Sequence, residues 1–240
     1  MAAELAGRVA LVTGVGAVGQ IGHAVAIALG TAGARLVLAD RSAELLDERV
    51  HEFAVARLAA VAAPGDLTDP RVARAAVGVA EARFGGLDIV VNVAGGLTSY
   101  GPFVDTDPDA LNREVAINLR TVYCVSQAAV PSLRRRGGGA IVNFASIAVL
   151  HPQPNLAAYT AAKGGVAALT RSLARELYHD KIRVNALAPE AVRTTANLQS
   201  MGAESRFVEL ADVVQTVQWL VSDTAIALTG QILSITAKRA

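Results

Sequence analysis

Val9-Ala10-Leu11-Val12-Thr13-Gly14-Val15-Gly16-Ala17-Val18-Gly19-Gln20-Ile21-Gly22 decides the fold. The apolar run Val9–Val12 has the length and composition of a buried strand. A glycine-rich turn follows it and opens onto a helix predicted over 21–32. Strand, glycine turn and helix in that order begin a β-α-β unit whose turn can hold a dinucleotide pyrophosphate. Glycines let the backbone come close to the phosphates, and a helix N-terminus attracts their charge. Gly14, Gly16, Gln20 and Ile21 are the candidate contacts.

Outward from this unit the pattern repeats. Apolar runs at Arg35–Ala39, Ala59–Ala62, Leu87–Val91, Ala140–Phe144, Arg183–Ala186 and Ile232–Ile235 alternate with helices predicted over 43–56, 70–84, 108–134, 157–179 and 211–222. Such alternation predicts an α/β fold, a parallel sheet of about seven strands with helices on both faces. No repeat or linker interrupts the order, so residues 1–240 are expected to form one domain. The segment Glu190–Leu210 has little periodicity and is expected to be a mobile connection.

Composition narrows the classes. The chain has 52% hydrophobic residues, a net charge of +1 and a single cysteine, Cys124, which has no partner for an internal disulfide. No window of 18 apolar residues occurs, and the opening Met1-Ala2-Ala3-Glu4-Leu5-Ala6-Gly7-Arg8 lacks a signal peptide's layout. The expectation is a cytoplasmic protein with no membrane partner. Arg134-Arg135-Arg136 is the one tight basic run; before three glycines it reads as a helix end, with no nucleic-acid partner expected.

Strand ends supply further candidates. Asp40 closes the second strand, where its carboxylate can accept hydrogen bonds from an adenosine ribose and repel a 2′-phosphate. Arg41 beside it pulls the other way, but the turn itself holds no basic residue, so NAD(H) is favoured and NADP(H) stays open. Asp66 and Leu67 end the third strand, and Asn92-Val93-Ala94-Gly95 the fourth, at the edge where ligands bind in open α/β sheets.

Tyr159 and Lys163 stand four apart in Tyr159-Thr160-Ala161-Ala162-Lys163, in a chain with three lysines and four tyrosines. On a helix they share a face. An ammonium near a phenolate can lower the phenol's pKa and make a proton donor that works near neutrality.

Together these residues identify a resemblance to the short-chain dehydrogenase/reductase family over essentially the full length. It rests on the turn Thr13–Gly22, Asp40, Asp66, Asn92–Gly95, Asn118, Ser146, Tyr159-x-x-x-Lys163, Arg183–Pro189 and Thr229-Gly230-Gln231. The resemblance implies a doubly wound, Rossmann-like domain and hydride exchange between NAD(P) and a small-molecule carbonyl or alcohol. It makes Tyr159 the general acid/base and Ser146 the donor to the substrate oxygen. Lys163 would tune the tyrosine and hold the nicotinamide ribose, and Asn118 would place a water that links the lysine to solvent. Gln20 and Ile21 would face the pyrophosphate, Asp66 and Leu67 the adenine, Asn92, Ala94 and Gly95 the adjoining ribose, and Val192 and Thr194 the carboxamide. It also implies a homotetramer or homodimer paired through the two long helices. An NAD(H)-binding scaffold without turnover, and an imine or enoyl reductase, remain as rivals.

Three departures stand out. The glycine turn is two residues longer than usual, and Gln20 replaces a glycine. Glu190 follows Pro189 where the family has glycine, and is expected to meet the substrate and disfavour anions. The tail Ile235-Thr236-Ala237-Lys238-Arg239-Ala240 lacks the family's usual ending. His151 is expected at the pocket rim.

Overall fold

The computed structural model describes residues 4–237; Lys238, Arg239 and Ala240 of the tail lie outside them. Seven strands form one parallel sheet in the order β3-β2-β1-β4-β5-β6-β7. They are β1 Val9–Thr13, β2 Arg35–Asp40, β3 Ala60–Pro64, β4 Ile89–Asn92, β5 Gly139–Phe144, β6 Ile182–Pro189 and β7 Ile232–Ile235. The helices are α1 Ile21–Thr31, α2 Ala43–Val55, α3 Pro70–Phe84, α4 Ala110–Glu114, α5 Thr121–Arg135, α6 Ala157–Glu176, α7 Thr195–Met201 and α8 Leu210–Val221.

Side chains alternate across a strand, and the two cores divide accordingly. Ala10 and Val12 of β1, with Leu36 and Leu38 of β2, face α1, α2 and α8 through Val25, Leu29, Leu46, Phe53, Val213 and Val217. Val9, Leu11, Val37 and Ala39 face the other way, onto Ala73 and Val77 of α3 and Val125, Ala129 and Leu133 of α5. Both faces are covered, which is why the strands read as continuous apolar runs.

The chain leaves β1 toward β2 and leaves β4 toward β5, so strand order reverses between β1 and β4. A crevice opens at the carboxyl ends of the strands there. Thr13 bridges it: its Oγ1 accepts the Val93 and Ala94 N–H groups at 3.0 and 2.9 Å.

Two elements differ from expectation. The helix predicted over 108–134 is interrupted by a π-helical segment, Val115–Arg120, between α4 and α5. Asn118 sits in it, and its Nδ2 donates to the Glu114 carbonyl and to Gly96, so a side chain competes with the regular backbone ladder. Residues 190–210 are not without structure. Thr194 caps the seven-residue α7 by accepting the Asn197 N–H, and Val192 pairs with Val208 in a parallel bridge.

The basic run ends α5 as predicted, though its charges go to carboxylates rather than helix carbonyls. Arg134 pairs with Asp180, Arg135 with Glu81, and Arg136 with the buried Asp88 at 3.0 Å. No helix among the described residues is long and apolar enough to cross a membrane.

Candidate active site

A cleft of about 1220 Å³ runs across the strand ends from Asp40 and Arg41 to Ser146, Tyr159 and Lys163. Gly14, Gln20, Ile21, Asp66, Leu67, Ala94, Gly95, Val192 and Thr194 also line it. Gly16, Asn92 and Asn118, expected among its walls, do not.

At the Asp40 end the glycine turn is held from behind. The Gly16 N–H donates to Asp40 Oδ2 at 2.9 Å, and a side chain at Gly16 would collide with that carboxylate, its Cβ only 2.9 Å from Asp40 Cγ. Gly16 therefore positions Asp40 instead of lining the cleft. Arg49, 9% exposed on α2, donates to the Gly16 carbonyl at 3.0 Å and pairs with Glu52 at 2.7 Å, and Glu52 meets His23 at 2.9 Å. The sequence does not reveal this support, because its members come from two helices and a turn.

The first turn of α1 has neither a side-chain cap nor an acidic residue. Its backbone N–H groups thus remain available to an anion in the cleft. The lengthened turn also reaches the start of α7: the Thr195 N–H meets the Gly19 carbonyl at 3.3 Å. Arg41 and Asp66 face each other at 3.7 Å across the adenine end. The Thr68 N–H and hydroxyl hold the Asp66 carboxyl below its usual range, with Arg41 adding a smaller pull.

Asn92 does not line the cleft. Its side chain, 1% exposed, turns into the interior, donating to Ser126 Oγ at 3.2 Å and Asn143 Oδ1 at 2.9 Å. It ties β4 to β5 and α5. Asn118 does not line the cleft either. Its amide is fully buried, donating to the Gly96 carbonyl and Glu114 Oε2 and accepting the Gly96 N–H. With those partners the side chain supports the loop after β4. Gly95, at φ +148°, leaves room for it: a Cβ there would lie 2.5 Å from Asn118 Oδ1.

Tyr159 and Lys163 project from one face of α6 into the cleft, with Lys163 Nζ 5.8 Å from the tyrosine ring centroid. Lys163 is 5% exposed and donates to the Phe144 carbonyl at 2.8 Å. Burial lowers its pKa to about 8, and Glu114 opposes that fall. Ser146 Oγ accepts the Ala148 N–H at 3.2 Å, which leaves its own hydrogen to donate into the cleft.

The expected acidification of the phenol is not what this arrangement gives. Burial raises the Tyr159 pKa, a hydrogen bond with Ser146 draws it back, and Glu114 raises it again; Lys163 is not among the causes. The ammonium stands beside the ring, and desolvation of the phenolate sets the direction of the shift.

Glu190 lines the cleft, but its Oε2 accepts the Ala237 N–H at 2.8 Å, while Arg206 grips the Ala237 carbonyl at 2.9 Å. One oxygen of the carboxylate is therefore engaged in strapping down the tail. His151 is exposed and does not line the cleft; Gln153 does.

Residues 8–205 match the short chain dehydrogenase family model. A trans-4-hydroxycyclohexanecarboxylate dehydrogenase of Sinomonas cyclohexanicum is 37% identical, covering 97% of this chain and 92% of its own. A 4-formylbenzenesulfonate dehydrogenase of Comamonas testosteroni is 34% identical over 97% of each chain. A 7α-hydroxysteroid dehydrogenase, solved with NADH and 7-oxo glycochenodeoxycholic acid, superposes with a TM-score of 0.90 at 30% identity, covering 97% of this chain and 94% of that one.

Proposed function

Because this chain belongs to the short-chain dehydrogenase/reductase family of oxidoreductases, we propose that it passes a hydride between a nicotinamide cofactor and a carbonyl or secondary-alcohol substrate, with Tyr159 exchanging the proton. One observation carries this: Tyr159, Lys163 and Ser146 converge at one end of a cleft whose other end holds Asp40 and the uncapped start of α1. The residues present fit a dinucleotide, since those free N–H groups suit a pyrophosphate and Asp40 a ribose diol. When bound, the nicotinamide supplies or accepts the hydride.

The chain's own groups divide the remaining work. The Ser146 hydroxyl donates to the substrate oxygen and holds it against the phenol. Tyr159 gives that oxygen its proton in reduction and takes one in oxidation. Lys163 spends one donor on Phe144 and keeps the others for a ribose hydroxyl. A phenol with a raised pKa is fully protonated at neutrality, so reduction proceeds there, while alcohol oxidation gains as pH rises. Hydride-transfer turnover is tested with NAD⁺ or NADP⁺ and three alcohols, namely cyclohexanol, trans-4-hydroxycyclohexanecarboxylate and a 7α-hydroxysteroid, followed by reduced-nicotinamide absorbance. NADH binding without turnover on any of them, or on the matching ketones, would favour a non-catalytic scaffold.

The cofactor expected is NAD(H). Asp40→Ser should shift the NADP⁺-to-NAD⁺ ratio of kcat/KM upward by at least about tenfold, equivalent to ~1.4 kcal/mol, by removing a negative charge from the 2′-phosphate's place. Arg41, exposed and 3.7 Å from Asp66, supplies the cation for that phosphate. A ratio within about twofold of wild type would assign the preference elsewhere. For assembly, we propose a homotetramer or homodimer, a matter for light scattering.

A further inference from the structure

Resting on the hydride-transfer reading above, we propose that Glu114 is a positioning residue of the reaction: its buried carboxylate clamps the substrate-side loop 96–99 to the π-helical segment and stands as counter-charge to the Lys163 ammonium. Glu114 is wholly inaccessible to solvent. Its Oε1 accepts the Thr98 N–H at 2.6 Å, the Thr98 hydroxyl at 2.8 Å and the Ser99 N–H at 2.9 Å. Its Oε2 accepts Asn118 Nδ2 at 2.8 Å. A buried carboxylate is tolerated only when hydrogen-bonded or paired, and four donors meet that condition. Gly96, Leu97 and Thr98 line the cleft, so the clamp fixes a wall against which the substrate lies.

Its charge bears on the reacting end as well. Glu114 acts electrostatically on both Lys163 and Tyr159. Charged side chains on other elements packed against α6 are engaged elsewhere: Arg113 with Asp107, Arg120 with the Thr68 carbonyl, Asp180 with Arg134, and Arg183 with the Leu220 carbonyl. Among the described residues, Glu114 is thus the anion that offsets burial of the ammonium.

Two substitutions separate charge from reach. Glu114→Gln keeps an oxygen for Thr98 and Ser99 and removes the charge; Glu114→Asp keeps the charge and draws it back by one methylene. With the best substrate of the alcohol panel, Glu114→Gln should lower kcat about tenfold. It should also move the alkaline fall of the reduction profile, read with the matching ketone, to lower pH, because the phenol and the ammonium both lose an anionic neighbour that raises their pKa. NADH affinity, read by nicotinamide fluorescence, should stay within about twofold. Glu114→Asp should lower kcat while leaving the profile where it is in wild type, and this result decides alone if the glutamine variant does not fold.

Wild-type kcat and an unmoved profile in both variants would overturn the assignment. That failure is separable from failure of the function itself. If Tyr159→Phe abolishes turnover while both Glu114 variants behave as wild type, only the role of Glu114 falls; if wild type turns over nothing, the hydride-transfer reading falls.

Discussion

Tyr159→Phe is expected to lower turnover by at least about 100-fold while NADH binds within about threefold of wild type. The ring stays, so the face of α6 that meets the cleft keeps its shape, and only the exchangeable proton is lost. Ser146 retains its hydrogen bond from Ala148 and can still orient a carbonyl oxygen. What disappears is the group that neutralises that oxygen as the hydride arrives, a contribution of roughly 10² to 10⁴ in rate. The pH profile gives a second check. Because burial raises the phenol's pKa, wild-type reduction should weaken as pH climbs through it and oxidation should strengthen. The phenylalanine variant should lose both trends. Retention of more than about a tenth of wild-type turnover would show that the proton comes from elsewhere.

The reasons this site was visible in the sequence, and the reasons part of it was not, are physical. Strands buried on both faces write themselves as apolar runs, as β1, β2, β4, β5 and β6 do, while the edge strands β3 and β7 are only partly buried but keep apolar composition; β6 extends three residues past Ala186 to pair with β7 up to Pro189↔Ile235. Tyr159 and Lys163 share a helix face by spacing alone. Contacts that depend on folding back leave no local trace. Glu114 sits among Asn112 and Arg113 in a stretch that reads as solvated, and its partners lie 15 and 16 residues upstream. The short α7 is below the length at which periodicity speaks, and its Thr194 cap is the signal that could have placed it.

Asn92 and Asn118 show what chain position alone does not decide. Each occupies the expected place in the chain, yet a side chain at a strand end can turn outward to a ligand or inward to its neighbours, and position does not choose. Asn92 lies opposite Asn143 in the β4–β5 register, and the two amides meet in the interior. Asn118 is drawn down by Gly96 and Glu114. Both act on the cleft by fixing its backbone walls.

Lys163→Met should abolish turnover and at the same time stabilise the fold at neutral pH by about 2 kcal/mol. The ammonium is nearly inaccessible, and burial pulls its pKa from 10.5 to about 8. That fall corresponds to about 3 kcal/mol of folding free energy spent on keeping the group charged. Methionine has a similar unbranched length and no charge to desolvate. Against this stands the lost bond to the Phe144 carbonyl, about 1 kcal/mol. For a chain of 240 residues the net gain raises Tm by about 4–8 °C. The sign of the pH dependence follows from the lowered pKa. Below about 8 the lysine is charged in both folded and unfolded states, and the cost is fully present. From there up to 10.5 the folded protein sheds the proton first, so wild type gains stability and the gap to methionine closes. A residue that destabilises its own fold in this way is kept for what it does in the cleft. Thermal melts of both proteins at neutral pH and near pH 10 decide the matter. A lower Tm for methionine at neutrality, or a gap that ignores pH, would mean that the ammonium is better solvated by its surroundings than its burial indicates.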